Sequence, residues 1–397
     1  MPEKDQAALQ EFPERLYEMM LRINPAIQDL ELYEFRYGLH ELNPEGSWAS
    51  VALDDPSQIE KRINSRAFYD SIQVKPRLKG RLVLDSQVKR LTVMLFVGLV
   101  AAKYSAEWVR QHFYFDIRSF LFLHRTQYLT PQALAHFGGS PYRQFEHKQK
   151  ALERCQDLGY PEFKAANAEV DQLFIQSAQK LVALQGTPVL LAIAGPTAAG
   201  KTEIVEQLRA VFEASGKKVT AIEMDNFLTD RDYREAQGIH SLGKAAIHFE
   251  LFIDSLYEIC QGQEISIPRY DFVYATSSHD LAGNLKPGCT PISIAPADVI
   301  FIEGNFPFLY EEAARLIGVK VVYLTDDEIR LKRKWRRDID YRKKYEPNYL
   351  RNRFFKEQFT MAETCFLPQI ALCDILVDTS GAALWVTPEI SRALKAG

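Results

Sequence analysis

The run Gly195-Pro196-Thr197-Ala198-Ala199-Gly200-Lys201-Thr202 constrains this chain more than any other stretch. It satisfies G-x-x-x-x-G-K-[ST] between an apolar run, Val189 to Ala194, and an amphipathic one that begins near Lys201. A strand before and a helix after are the surroundings that a phosphate-binding loop requires. Its glycines let backbone N–H groups converge on phosphate oxygens at a helix N-terminus, where unpaired donors and the helix dipole favour negative charge. Lys201 is then placed to reach the β and γ phosphates of a nucleotide, and Thr202 to offer its hydroxyl to Mg²⁺. A chance match in a Gly/Ala turn is the bland alternative; strand and helix in register on both sides argue against it.

The surroundings of the loop extend the same pattern. Ile204, Leu208, Val211 and Phe212 put one apolar stripe on the following helix, and Val189 to Ala194, Lys218 to Glu223, Val299 to Ile302, Val319 to Leu324 and Ile375 to Val377 read as buried strands. Continuously apolar strands alternating with amphipathic helices predict a parallel sheet covered on both faces. Upstream the texture differs: Glu14 to Ile23, Val88 to Phe113 and Glu169 to Leu184 carry apolar residues at helical spacing, with Asn43-Pro44-Glu45-Gly46 and Phe137-Gly138-Gly139-Ser140-Pro141 as loops. At about 150 residues per domain, a chain of 397 residues is expected to hold two or three domains. The change of texture at Leu184 to Pro188 places the boundary so that residues 1–185 form a mostly α-helical domain of unknown role and residues 186–397 an α/β domain.

Charge and cysteine content narrow the class. A net charge of −4 provides no global pull toward nucleic acid or anionic lipid, and the five scattered cysteines fit neither a disulfide framework nor a zinc site, so a reducing cytoplasm is the expected compartment. The longest apolar run, Leu91 to Ala102, is about 12 residues, shorter than the roughly 20 that cross a bilayer, and is expected to be a buried helix.

Three further segments carry candidate chemistry. Asp225 closes the run Val219 to Phe227 at a strand's carboxyl end, where ligands gather in open α/β sheets. There a carboxylate can accept the proton of an acceptor hydroxyl or hold metal-bound water, although an Asp after a strand is also a common turn former. Glu303 ends the strand Val299 to Ile302 in the manner of the carboxylate that helps hold a nucleotide's Mg²⁺. Between Arg330 and Lys344 stand nine Lys or Arg residues against Asp338 and Asp340, behind a Thr325-x-x-Glu328 pattern of capping-box form. Such a run can steady charge on a transferring phosphoryl group, be a solvated face, or bind nucleic acid.

Taken in order, these segments resemble the uridine kinase and phosphoribulokinase family of P-loop kinases over about Pro188 to Thr379. The matching pieces are Gly195 to Thr202, Met224-Asp225-Asn226-Phe227, Ile267-Pro268-Arg269-Tyr270-Asp271-Phe272, Ile302-Glu303-Gly304 and Arg330 to Asp338, with Phe366-Leu367-Pro368 and Asp374 to Val377 resembling the family's C-terminal helix and last strand. The resemblance implies ATP and Mg²⁺ as cofactors and Asp225 as the base at the acceptor hydroxyl. It implies Thr202 and Glu303 around the metal, Tyr270 and Phe272 in the acceptor pocket, and Arg337 on a mobile lid that contacts phosphate. The chain departs from nucleoside-phosphorylating members at two places. Leu242-Gly243-Lys244-Ala245-Ala246-Ile247 stands where they read approximately Asp-His-Pro-Asp-Ala-Phe, and Ala275 stands where they place a His. Ribose and base contacts are thereby lost, and Lys244, His240 and His248 are candidates for a differently charged pocket.

The reading is therefore a kinase that passes the γ-phosphoryl of ATP to a hydroxyl of a small metabolite other than a standard nucleoside, with no nucleic-acid or membrane partner. The helical domain is where a homo-oligomer or protein partner would engage. An ATP-binding regulatory protein with a repurposed kinase domain is the alternative, and an RNA-associated ATPase a third.

Overall fold

The computed structural model describes residues 11–40, 42, 44, 46–65, 67–68, 86–116, 121–145, 160–239, 242–335, 337–338 and 361–396. Asn43, Glu45, Cys155, His240, Arg336, Asp340, Arg342, Lys343 and Lys344 lie outside the described residues. Packing divides the chain into two compact units, neither of them a continuous half. The first comprises Met1–Thr126, Lys148–Phe163 and Asp327–Thr360, and the second Gln127–His147, Lys164–Asp326 and Met361–Gly397.

The first unit is mainly helical. Helices Phe12–Ile23, Pro56–Ile63 and Ser86–Val100 bury Phe12, Leu16, Met20, Ile59, Leu95, Phe96 and Leu99 in one core with Phe35. The apolar run is a buried helix as expected: every residue from Leu91 to Val100 is buried. The expected helix from Val88 to Phe113 is in fact two. The ring of Tyr104 packs where a Cβ on Gly98 would stand, the Lys103 and Tyr104 amides both donate to the Gly98 carbonyl, and Ala102 takes a left-handed φ of 56°. Ser105 then caps the second helix, Ala106–His112, by accepting from the Trp108 amide at 3.1 Å. An antiparallel pair, Phe113–Asp116 with Leu121–His124, completes this part.

The second unit is built on a seven-stranded sheet. Its order is Arg143–Gln144, Ala383–Val386, Ile375–Asp378, Val319–Leu324, Val189–Ala194, Val299–Gly304, Val219–Glu223. The last five are parallel, and the strand before the phosphate-binding motif is central, flanked by Val319–Leu324 and Val299–Gly304. Ala383–Val386 pairs antiparallel with both Ile375–Asp378 and Arg143–Gln144, and it follows Ile375–Asp378 in the chain, so Ile375–Asp378 is not the last strand. Only Thr379 to Ala382 separate it from Ala383, a link that permits a hairpin and is too short for a crossover. Each sheet face is covered. Val189, Leu191 and Ile193 pack with Ile204, Leu208 and Phe212 of the helix Lys201–Ala214, and with Val170, Phe174 and Leu181 of the helix Tyr160–Ala183. Leu190, Ala192 and Ala194 share the other face's core with Phe252, Leu256 and Ile259 of the helix Phe249–Cys260. The apolar stripe from Val170 to Val182 thus belongs to the sheet's core, which is why packing does not cut the chain near residue 185.

Candidate active site

The loop leaves the central strand through Gly195, whose place admits no side chain: a Cβ there would lie 2.3 Å from the Tyr323 carbonyl oxygen of the neighbouring strand. The backbone is left-handed at Ala198 (φ 62°) and at Gly200 (φ 107°), the residue that opens the helix Lys201–Ala214. This curls the loop so that its N–H groups share one concave side with a helix N-terminus. Buried Lys201 places its ammonium 3.1 Å from the Pro196 carbonyl, bridging the loop's own rim. From outside, Thr325 Oγ1 donates to the Ala199 carbonyl at 2.7 Å and lies 2.8 Å from Thr379 Oγ1. The sequence reading gave Thr325 to a helix cap; its hydroxyl instead braces the loop. Thr379 went unnoticed, because a contact across 54 residues leaves no local signature.

Beside the loop stand the carboxylates. Parallel pairing sets Glu303 opposite Ile193 on one side and Glu223 on the other. The residues preceding them at alternate positions, Val299 and Phe301, pack with Ile204 and Phe212, so Glu303 lies on the face that carries Lys201 and Thr202. Thr202 Oγ1 donates to Glu303 Oε1 at 2.8 Å. Burial pushes the Glu303 carboxyl above its usual range, against the pull of Lys201 and the Thr202 hydrogen bond, and Asp225 and Glu223 push it further. Glu223 is raised as well, by burial and then by Asp225. Three carboxylates and one ammonium therefore act on one another at the strands' carboxyl ends. Glu223 was missed by sequence reasoning although it lies two residues before Asp225 at the end of the same run.

Among the described residues no three His, Cys, Asp or Glu side chains are grouped to hold a metal ion. A hydroxyl and a carboxylate in contact, next to a phosphate cradle, nonetheless fit Mg²⁺, which is bound through one or two protein oxygens together with substrate phosphates and water. Thr202 and Glu303 are the pair that would hold it.

Asp225 lies in the single turn Met224–Phe227 that follows the strand Val219–Glu223. The next residue, Asn226, is buried and accepts the Tyr270 amide on Oδ1 at 3.2 Å, tying the Asp225 turn to the Tyr-Asp-Phe segment. Tyr270 is buried and meets Phe272 edge to face at 5.1 Å, while Phe272 stays 41% exposed. Arg234, absent from the sequence reading, donates to the Tyr270 hydroxyl at 3.1 Å.

The departures also have a place. Leu242 packs on the apolar core, and Ala275 is a buried residue at φ 59°, a turn position with no side chain to extend. Lys244 holds its ammonium 4.1 Å from the Phe249 ring centroid and under 4 Å from Glu250 and Glu312, at 3.7 and 3.8 Å. His248 is buried against Ser277 at 3.2 Å and held below its usual pKa by burial and by His279. Arg337 belongs to the first unit, where its guanidinium binds Asp338 at 2.8 and 3.3 Å. Arg330 of the same basic run is buried in an ion pair with Asp327 at 2.8 Å.

The model of the Phosphoribulokinase / Uridine kinase family matches residues 190–382. A uridine kinase from Brevibacillus brevis is 32% identical over 160 residues, 40% of this chain and 69% of that protein. This chain belongs to the phosphoribulokinase/uridine kinase family. A uridine kinase from Streptococcus agalactiae is 27% identical over 158 residues, covering 39% of this chain and 70% of the relative. Among solved structures, the phosphoribulokinase from Rhodobacter spheroides aligns loosely, with a TM-score of 0.33 and 17% identity over 51% of this chain and 76% of that one. Membership of the family makes the chain a small-molecule phosphotransferase with a hydroxyl acceptor. Among the described residues no helix is long and apolar enough to cross a membrane.

Proposed function

We propose that the second unit transfers the γ-phosphoryl group of ATP, with Mg²⁺, to a hydroxyl of a small metabolite other than a standard nucleoside. The observation that carries this reading is the joining of Thr202 to Glu303 at 2.8 Å beside Lys201 in a loop shaped for phosphate. Lys201 neutralises the β and γ phosphates, moving from the Pro196 carbonyl to the stronger charged partner. Thr202 and Glu303 would hold Mg²⁺, which when bound would supply positive charge against the charge that develops on transfer. Asp225 accepts the proton of the attacking hydroxyl, and Tyr270 with Phe272 forms a wall for the acceptor's apolar part. A lid role for Arg337 is retained as part of the same proposal.

Leu242 and Ala275 support exclusion of nucleosides. A sugar hydroxyl buried against Leu242 would be unpaired, at about 1–3 kcal/mol for each group, so two such losses lower kcat/KM by roughly 10² to 10⁴. The test is ATP turnover against a panel of sugars, sugar phosphates, hydroxy acids and nucleosides. Uridine turned over with kcat/KM of about 10⁴ M⁻¹s⁻¹ or more, the ordinary enzymatic range, would overturn the exclusion. MgATP that does not bind would overturn the kinase reading.

A further inference from the structure

Arg234 is a cation against the Tyr-Asp-Phe segment that the reaction as described leaves unused. It lies on the short helix Arg231–Ala236, half-buried, with its Cζ 5.7 Å from the centroid of the Tyr270 ring. Nη2 donates to the Tyr270 hydroxyl at 3.1 Å and Nη1 donates to the Thr229 carbonyl. Both acceptors are neutral. Among the described residues no carboxylate forms an ion pair with Arg234, although acids are close by in sequence. Asp230, four residues before it, is already committed: Lys286 binds it at 2.8 and 3.0 Å and the Ser277 amide donates to it at 2.7 Å. A guanidinium has five donors in a fork that fits a carboxylate or phosphate bidentately, and it is always charged. Holding one half-buried on neutral oxygens leaves that charge without a counter-ion.

The position matters as much as the charge. Tyr270, on which Arg234 leans, is bound through its amide to Asn226, the residue after Asp225. One short relay of contacts therefore joins the proposed base to the uncompensated cation. Leu242 and Ala275, at the two departures from nucleoside-phosphorylating relatives, offer no charged or hydrogen-bonding side chain to a neutral sugar.

We infer that Arg234 recognises an anionic group on the phosphoryl acceptor, making the substrate an alcohol that carries a carboxylate or a phosphate. The inference rests on the kinase reading above. The acceptor's anion takes the open edge of the guanidinium while its hydroxyl faces Asp225, and Tyr270 and Thr229 hold the fork in place.

The full chain should be assayed at saturating MgATP with D-glycerate as the carboxylate probe, ribose 5-phosphate as the phosphate probe, and glucose and uridine as neutral ones. Turnover is expected with at least one anionic probe, and which one decides between the two anions. Arg234→Gln should raise KM for that probe by about 10- to 100-fold, the scale of one lost charge-assisted hydrogen-bond pair. KM for ATP should stay within about twofold, and Arg234→Lys should recover part of the loss. Tyr270→Phe, which removes only the hydroxyl, should weaken the same KM more mildly. A merely structural Arg234 would instead lower the melting temperature and disturb KM for ATP, which overturns the inference. So would turnover of the neutral probes alone, or an Arg234→Gln effect on ATP rather than on the acceptor. MgATP that binds while none of the probes, charged or neutral, is phosphorylated would instead defeat the kinase reading, and this inference with it.

Discussion

Lys201 and Asp225 separate two things a kinase must do, and each can be removed alone. The Lys201 ammonium rests on the Pro196 carbonyl, so Lys201→Ala deletes a charge without touching the backbone that shapes the loop. Turnover is expected to vanish while the melting curve stays close to that of the unaltered protein, since alanine suits the first turn of a helix. Asp225→Asn keeps size and shape at the turn Met224–Phe227 and removes only the capacity to accept a proton. It should leave MgATP affinity within about tenfold and slow phosphoryl transfer by roughly 10² or more, as titration calorimetry and single-turnover kinetics would separate. An equal loss in both would instead make Asp225 mainly a metal residue, and its mutual repulsion with Glu303 and Glu223 is what gives that outcome physical content.

The loop works as an element because the sheet on either side leaves it one conformation. Gly195 fits against the Tyr323 carbonyl, and Thr325 ties the loop's Ala199 carbonyl to the end of the same neighbouring strand. Thr325→Val retains the shape and removes one hydrogen bond from that carbonyl, a loss of about 0.5–1.5 kcal/mol. ATP affinity should fall along with thermal stability, read together in a ligand-shift melting series; a stable variant with intact affinity would show that the brace is dispensable. The same contacts mark what the sequence could and could not disclose. Strand, loop and helix around Lys201 were legible because their signals are local: an apolar run, fixed glycine spacing, and a stripe of period 3.6. The place of Glu303 beside Thr202 was legible from its position near a strand's carboxyl end. Thr325 was misread because its pattern fits a cap and its true partner lies 126 residues away. The antiparallel strand Ala383–Val386 and the break at Tyr104 escaped because a tight turn and a ring seated on Gly98 decide them, not periodicity. Arg234 gave no signal at all, being one more cation on a charged helix until the tertiary fold sets it on Tyr270.

Across the whole molecule the cores are distinct: the one from Phe12 to Phe115 shares no residue with the two that cover the sheet, so the two units should answer to different conditions. In the first unit, buried His124 pairs with Phe113 across the hairpin, and its pKa is lowered from 6.5 to about 4 by burial and then by His112. The sign follows from where the proton sits. Between those two values the unfolded chain binds the proton and the folded chain does not, so His124 contributes stability that is present above about pH 6.5 and lost as pH falls toward 4. At about 1.4 kcal/mol for each unit of pKa shift, the ceiling is on the order of 3 kcal/mol. The second unit should respond to nucleotide, with MgATP at a hundred times its Kd adding about 2.7 kcal/mol by mass action. Denaturant unfolding at pH 7, 5 and 4, with and without MgATP, distinguishes these effects. His124→Gln should flatten the acid dependence and leave the nucleotide shift intact, whereas Lys201→Ala should abolish the nucleotide shift and leave the acid dependence intact. A single transition that moves equally with both perturbations would mean that the two cores unfold as one cooperative block, and would refute their separate responses.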